Sequence, residues 1–354
     1  MFFNTHIHTF RDIDVPRRFL PLGLVRILAS KPGYFLTAKL LNNLNPLSDN
    51  DLFDRYIKFV RIGKLGSQQN IFENCLRFYP KETQFVILPM DMAFMGAGKV
   101  PRDYEEQLVE LGQLKKTYSQ IHPFIHIDPR RERVLDLLKK SVEHYGTKGV
   151  KIYPPLGYFP YDERMYPIYE YCQTNGLPII AHCSPFNPVH FKGSKKELSG
   201  LLSGSQSPIK YNGKNKKKLC SNFTHPHNYI KVLNDFSDLK ICLAHFGSEY
   251  FWKKYLDEPG DDDNWFVIVK EMILRYPNLY SDISFTLNNQ EFFPLLKVLL
   301  SDKKLRDKVL FGSDYYMVET KSTERRFCID LRAYIGEENF STIAVDNPKK
   351  FLGM

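Results

Sequence analysis

Cysteine is scarce in this chain and unpatterned. Six residues, Cys75, Cys172, Cys183, Cys220, Cys242 and Cys328, are scattered over 354 positions with no C-x-x-C among them. That spacing supplies no disulfide framework, so reduced thiols in a cytoplasmic protein are expected. Long apolar runs are missing as well, and with them a membrane span. A secretory leader would need an apolar stretch near the start, which Arg11, Asp12 and Asp14 interrupt. There is no internal repeat and no Pro- or Ser-rich linker. One domain over residues 1–354 is therefore expected, with no membrane partner.

Acidic charge is in deficit, and the net charge is +9. The excess is local: between Phe191 and Lys218 stand eight lysines against one glutamate. That stretch is also rich in Gly, Ser and Asn, as a loop would be. A solvated loop is the plain reading, and a loop that draws in an anionic substrate is the functional one. A nucleic-acid partner is not expected.

What the chain does contain is enough apolar residue for a large core, at 43% hydrophobic and 14% aromatic. Short β-rich runs recur, each followed by polar residues and a helix-like segment. They are FFNTHIHTF at the start, QFVILPM (84–90), HPFIHID (122–128), KGVKIYP (148–154) and LPIIAHC (177–183). LKICLAHF (239–246), NLYSDISF (278–285) and VLFGSDYY (309–316) complete the set. Eight strands alternating with helices predict an α/β fold, a parallel sheet closed into a (β/α)8 TIM barrel. Two connections are too long for simple turns. Arg11–Pro80, after the first strand, is expected to hold extra helices around DLFDRYIKFVRIGKL; Ser184–His227, after the fifth, holds the lysine-rich stretch. Both leave the C-terminal strand ends, where barrel enzymes carry their sites.

Polar residues interrupt these apolar runs. The first strand carries His6 and His8, which point to one face of a strand because side chains alternate with period two. The fourth carries Lys151, the fifth His182, the sixth His245 and the eighth Asp314. Singly, each has a structural explanation: a hydrogen-bonded histidine, an exposed lysine, an aspartate capping a helix. In a closed barrel all six converge on one mouth. Four imidazoles and a carboxylate suit zinc, with manganese or iron as alternatives. Further candidates for substrate contact are His126, which shares a face with Asp128, and Tyr153 and Tyr158 after the fourth strand. The pair His225 and His227 flanks a proline that cannot join a sheet ladder, so it reads as a helix start near Thr224.

The order H-x-H, Lys, His, His, Asp on strands one, four, five, six and eight resembles the amidohydrolase superfamily of metal-dependent TIM-barrel hydrolases. GVKIYPPLGYFPYDERMYPIYEYCQTNGLPIIAH, FSDLKICLAHFG, RYPNLYSDIS, VLFGSD and the terminal NPKKFLG resemble the branch that includes aminocarboxymuconate-semialdehyde decarboxylase. The resemblance implies one divalent ion or two, zinc first. With two, a carboxylated Lys151 bridges them, His6, His8 and Asp314 holding one ion and His182 and His245 the other. With one, His6, His8, His182 and Asp314 hold it, and His245 orients or deprotonates the water.

The implied activity is cleavage of an amide, lactone or ester of a small molecule by metal-activated water. Asp314 is then the proton acceptor, with His245 as the alternative. The runner-up is non-oxidative decarboxylation of a small carboxylated substrate. TatD-type nucleases carry an acidic residue where this chain has Lys151, and the phosphatase-like barrels want a late D-x-H that GSDYY lacks. A barrel that has lost catalysis and only binds is the rival of a different class. Among relatives a homodimer is common.

Overall fold

The computed structural model describes residues 2–16, 58–185, 193–205, 207–209 and 215–354. Eight parallel strands follow one another in chain order: β1 (Phe3–Ile7), β2 (Gln84–Ile87), β3 (Ile121–Ile127), β4 (Gly149–Ile152), β5 (Ile179–His182), β6 (Ile241–Ala244), β7 (Leu279–Asp282) and β8 (Val309–Leu310). The last meets the first. Thr5 N donates to Phe311 O at 2.9 Å, Asp314 N to His6 O at 2.8 Å, and Ile7 bridges Tyr315 in parallel. The sheet is thus closed into the expected (β/α)8 barrel. Helices used below are α1 (Gln68–Leu76), α2 (Tyr104–Thr117), α3 (Val134–Tyr145), α4 (Lys195–Ser203), α5 (Lys216–Phe223), α6 (Glu324–Ile335) and α7 (Asn347–Leu352).

The near-continuous apolar strand runs are explained by burial on both faces. Val86, Leu88, Phe124, Ile180, Cys242, Ala244 and Leu310 fill the barrel interior, and Phe351 of α7 joins them beneath Tyr280. The alternate residues, such as Ile87, Ile125, Ile179 and Leu243, face the surrounding helices. Helix α2 shows how the outer layer forms. Asp103 caps its N-terminus, glutamates fill the first turn and lysines the last, and Leu108, Leu111 and Leu114 are buried. At Gly112 a Cβ would stand 2.9 Å from Cβ of Tyr145 at the end of α3, so only glycine allows this approach.

The two long connections span residues 8–83 and 183–240. Of the expected extra helices after β1, residues 51–57 lie outside the described residues, whereas 58–63 are helical and α1 follows. The lysine-rich stretch departs from expectation. Its residues 191–192, 206 and 210–214 lie outside the described residues, but α4 and α5 are helices and not loop. A capping box at Ser194 starts α4, and Leu198, Leu202, Leu219, Cys220 and Phe223 bury against Phe159. Local apolar spacing overrode the Gly/Ser/Asn composition. The helix start expected near Thr224 is a 3-10 turn, Pro226–Tyr229, capped by His225. Among the described residues no helix is long and apolar enough to cross a membrane.

One irregularity positions the site. Between β1 and β2 the register runs Asn4↔Phe85 but Ile7↔Ile87, so β1 carries one extra residue. This bulge breaks the period-two alternation. Asn4 turns outward to Tyr79, Ser313 and Glu324, yet His6, two residues on, turns inward to Asp282.

Gly149, the first residue of β4, leaves the room that the Phe124 ring occupies. A Cβ there would also meet Pro178 O at 2.7 Å. Gly149→Ala is expected to lower stability by about 1–3 kcal/mol through overpacking, read as a lower urea midpoint at unchanged slope.

Candidate metal centre

His6 and His8 are set by what holds their inner nitrogens. His6 Nδ1 donates to Asp282 Oδ2 at 2.8 Å, and His8 Nδ1 donates to the Leu88 carbonyl at 2.8 Å. In the neutral rings each Nε2 therefore carries a lone pair. Burial, with Lys151 nearby, pushes His6 down to about 4, so it is neutral at pH 7. Both Nε2 atoms face Asp314: Oδ1 lies 3.1 Å from His8 and 3.7 Å from His6. His6 Nε2 and Asp314 Oδ1 are buried with no hydrogen-bond partner.

Asp282, at the end of β7, organises the rest. Its carboxylate accepts from His6 Nδ1, from His245 N at 2.9 Å, and from the backbone N (3.1 Å) and hydroxyl of Ser284. These donors overcome burial and keep it far below the usual carboxylate range. His245 Nδ1 donates to Ser284 O at 3.0 Å, so its Nε2 accepts from His182 Nδ1 at 3.0 Å. Tyr153 stacks on the His182 ring at 4.2 Å. His245 and Asp314 both adopt left-handed backbone, at φ 71° and 64°. Such conformations cost on the order of 1–3 kcal/mol. They persist here because His245 N is held by Asp282 and Asp314 N by His6 O.

The other predicted residues divide. Lys151 is buried on the inner face of β4 with no partner for Nζ, and burial pushes it down to about 8 against the pull of Asp282 and Asp314. His126 is buried on β3 and accepts the Asp91 N–H on Nδ1. Tyr158 acts as a strut: its hydroxyl donates to Ile127 O at 3.1 Å and accepts from Tyr153 N at 2.8 Å. Asp128 is occupied by Arg130 through both carboxylate oxygens. His225 packs on Trp265 and faces Asp263 at 3.5 Å.

Sequence reasoning passed over Asp282 and Ser284, although SDIS breaks an apolar strand with a charge, as His182 and Asp314 do. It also passed over Glu324. This α6 residue accepts from Tyr79, from Ser313 Oγ at 2.6 Å and from Asn4 Nδ2 at 3.3 Å, behind the seam of β1 and β8.

His6, His8 and Asp314 are the group of described residues whose ligand atoms all lie within 4.8 Å of one another. They present three acceptors to one another with no proton between them. A divalent cation fits that arrangement, and two imidazoles with one carboxylate are donors that zinc accepts.

A buried barrel mouth that brings two imidazoles and a carboxylate together defines a class, and the comparisons give the family. Residues 102–354 match the model of the amidohydrolase family, and the chain belongs to that family. No curated protein matches it. Among solved structures it is similar to an amidohydrolase II, at 12% identity and TM-score 0.56 over all of both chains. It is also similar to a 4-oxalomesaconate hydratase from Rhodopseudomonas palustris, at 15% identity and TM-score 0.52, over all of this chain and 96% of that one. An amidohydrolase from Burkholderia multivorans with bound zinc is 10% identical, with TM-score 0.53, over all of this chain and 99% of that one. At such identities these likenesses show the barrel fold. Membership of the family supports an enzyme, a hydrolase or a lyase.

Glu324 carries a pH signature. Burial raises its carboxyl from 4.5 to about 8, against the donors Ser313 and Tyr79. The folded protein thus holds on Glu324 a proton that the unfolded chain releases, so this group's contribution to stability falls as pH rises from about 4.5 to about 8 and levels off above. The slope is about 1.4 kcal/mol per pH unit. Urea unfolding at pH 5 and pH 8 should show the difference in stability between Glu324→Gln and the native chain shifting in favour of the variant at pH 8.

Proposed function

We propose that this protein is a metal-dependent hydrolase that cleaves an amide, lactone or ester of a small molecule. The observation that carries the reading is the meeting of His6 Nε2, His8 Nε2 and Asp314 Oδ1, three buried acceptors with no donor among them. One divalent ion, zinc first, would be held by these three residues. When bound, it supplies Lewis acidity that brings the pKa of water toward neutrality and polarises a carbonyl. Asp314 takes the proton of the attacking water as oxygen bonds to the carbonyl carbon, and returns it to the nitrogen or oxygen that leaves. Asp282 and Leu88 keep both imidazoles in the ligating tautomer. His182 and His245 bond to each other, which supports one ion over two and an unmodified Lys151. His245 then fixes the orientation of His182, and the Tyr153 ring, stacked on His182, forms one wall of the site.

A second reading, non-oxidative decarboxylation, draws support from the buried Lys151 Nζ, which has no partner and offers a cation to a carboxylate.

The test is metal content per chain by plasma mass spectrometry, with turnover of a panel of activated esters, lactones and amides. The native chain is expected to hold one ion, and His6→Ala and Asp314→Asn none. Asp282→Asn should weaken metal binding about 10–100-fold, the usual effect of removing a histidine's outer partner. Native protein without metal would overturn the reading.

A further inference from the structure

The inner faces of β3 and β4 carry two buried donors that nothing accepts from. His126 and Lys151 are register partners on these neighbouring strands, and each is 1% exposed. Their inward direction follows from alternation, since Phe124, two residues before His126, belongs to the barrel interior. His126 Nδ1 accepts the Asp91 N–H at 2.9 Å, so the proton of the neutral ring sits on Nε2. That Nε2–H has no acceptor, and neither does Lys151 Nζ.

Of the nearby carboxylates, Asp314 faces His6 and His8, and the others are engaged elsewhere. Arg130 holds Asp128 and Arg131 holds Asp91, and Asp282 is saturated by His6, His245 and Ser284. Lys151 pairs in register with Ile180, two residues before His182, so its stem rises from the floor of the mouth. Its charge reaches His6, His245 and Asp314. Buried donors are almost always paired. Two of them side by side, one bearing an ammonium, match the two oxygens of a carboxylate.

We infer that Lys151 Nζ and His126 Nε2 form an anion subsite, and that the substrate carries a carboxylate seated there and retained in the product. This rests on the hydrolase reading: the ion and Asp314 act on the scissile carbonyl, and Lys151 and His126 hold the far end of the molecule. It also gives the orphaned lysine a role that needs neither carboxylation nor a second ion.

The test uses the full-length chain as purified, with 15N-labelled histidine. Acetate and benzoate are the probes, and benzamide is the uncharged isostere. Both carboxylates should shift the His126 Nε2–H resonance, identified by its loss in His126→Phe, and benzamide should not. Benzoate binding should weaken at least about tenfold in Lys151→Met and in His126→Phe, and recover in part in His126→Gln, which keeps a donor. The wild-type titration decides even where a variant fails to fold. No shift with either carboxylate, an equal shift with benzamide, or undiminished binding in the folded variants overturns the subsite. So does a carbamate carbon on Lys151 after equilibration with 13C-bicarbonate. Metal content on the same samples separates the two readings: a metal-free protein that still shows the shift loses the hydrolase and keeps the subsite.

Discussion

Acceptors facing acceptors are the constraint around which this barrel is arranged. The Asp314 carboxylate lies 3.1 Å from His8 Nε2 and 3.7 Å from His6 Nε2. Were either imidazole free to change tautomer, its Nε2–H would donate to the carboxylate and the mouth would satisfy itself. The Leu88 carbonyl and Asp282 prevent this by taking the Nδ1 protons. In a site this buried, the resulting repulsion is little screened. The outer partners thus hold the inner residues in a form that a cation fits.

Holding that form also requires backbone in unusual places, and both faces of β1 take part. The bulge lets one short strand send Asn4 outward and His6 inward. Outside, Asn4 Nδ2, Ser313 Oγ and the Tyr79 hydroxyl all donate to Glu324 Oε1. Asn4 Oδ1 accepts from Ser313 N at 3.1 Å, just before Asp314. This knot fastens β1 to the loop after β8, so that His6 and Asp314, 308 positions apart in the chain, keep their spacing. Removing the knot would leave the left-handed backbone of Asp314 without one of its supports.

What the sequence made legible follows from how local each signal is. The strands showed as apolar runs because both faces of every strand are buried. His6, His8, His182, His245 and Asp314 stood out as polar breaks in such runs. Asp282 breaks its run in the same way, but its role comes from His6 on the opposite side of the closure, and strand spacing carries no trace of that contact. The bulge was equally hidden, since an H-x-H reads the same with or without an extra residue before it. The lysine-rich stretch misled for the opposite reason. Its composition is that of a loop, and its helices are visible only in the i, i+4 placement of Leu198 and Leu202 and of Leu219 and Phe223.

Formal charge does not distinguish one ion from two. With one divalent ion, the carboxylates of Asp282 and Asp314 and the ammonium of Lys151 leave the mouth at about one positive unit. With two ions and a carboxylated Lys151, four positive charges face three negative ones, and the sum is the same. Hydrogen bonding is what supports the reading with one ion. His182 gives its Nδ1 proton to His245 Nε2, while His245 gives its own Nδ1 proton to Ser284 O. A second ion on these two rings would have to take the His245 lone pair and break a 3.0 Å bond between buried groups. One ion on His6, His8 and Asp314 leaves that chain of donors intact. The positive unit that remains then favours a ligand with an anionic group, which Lys151, left as an ammonium, is placed to meet.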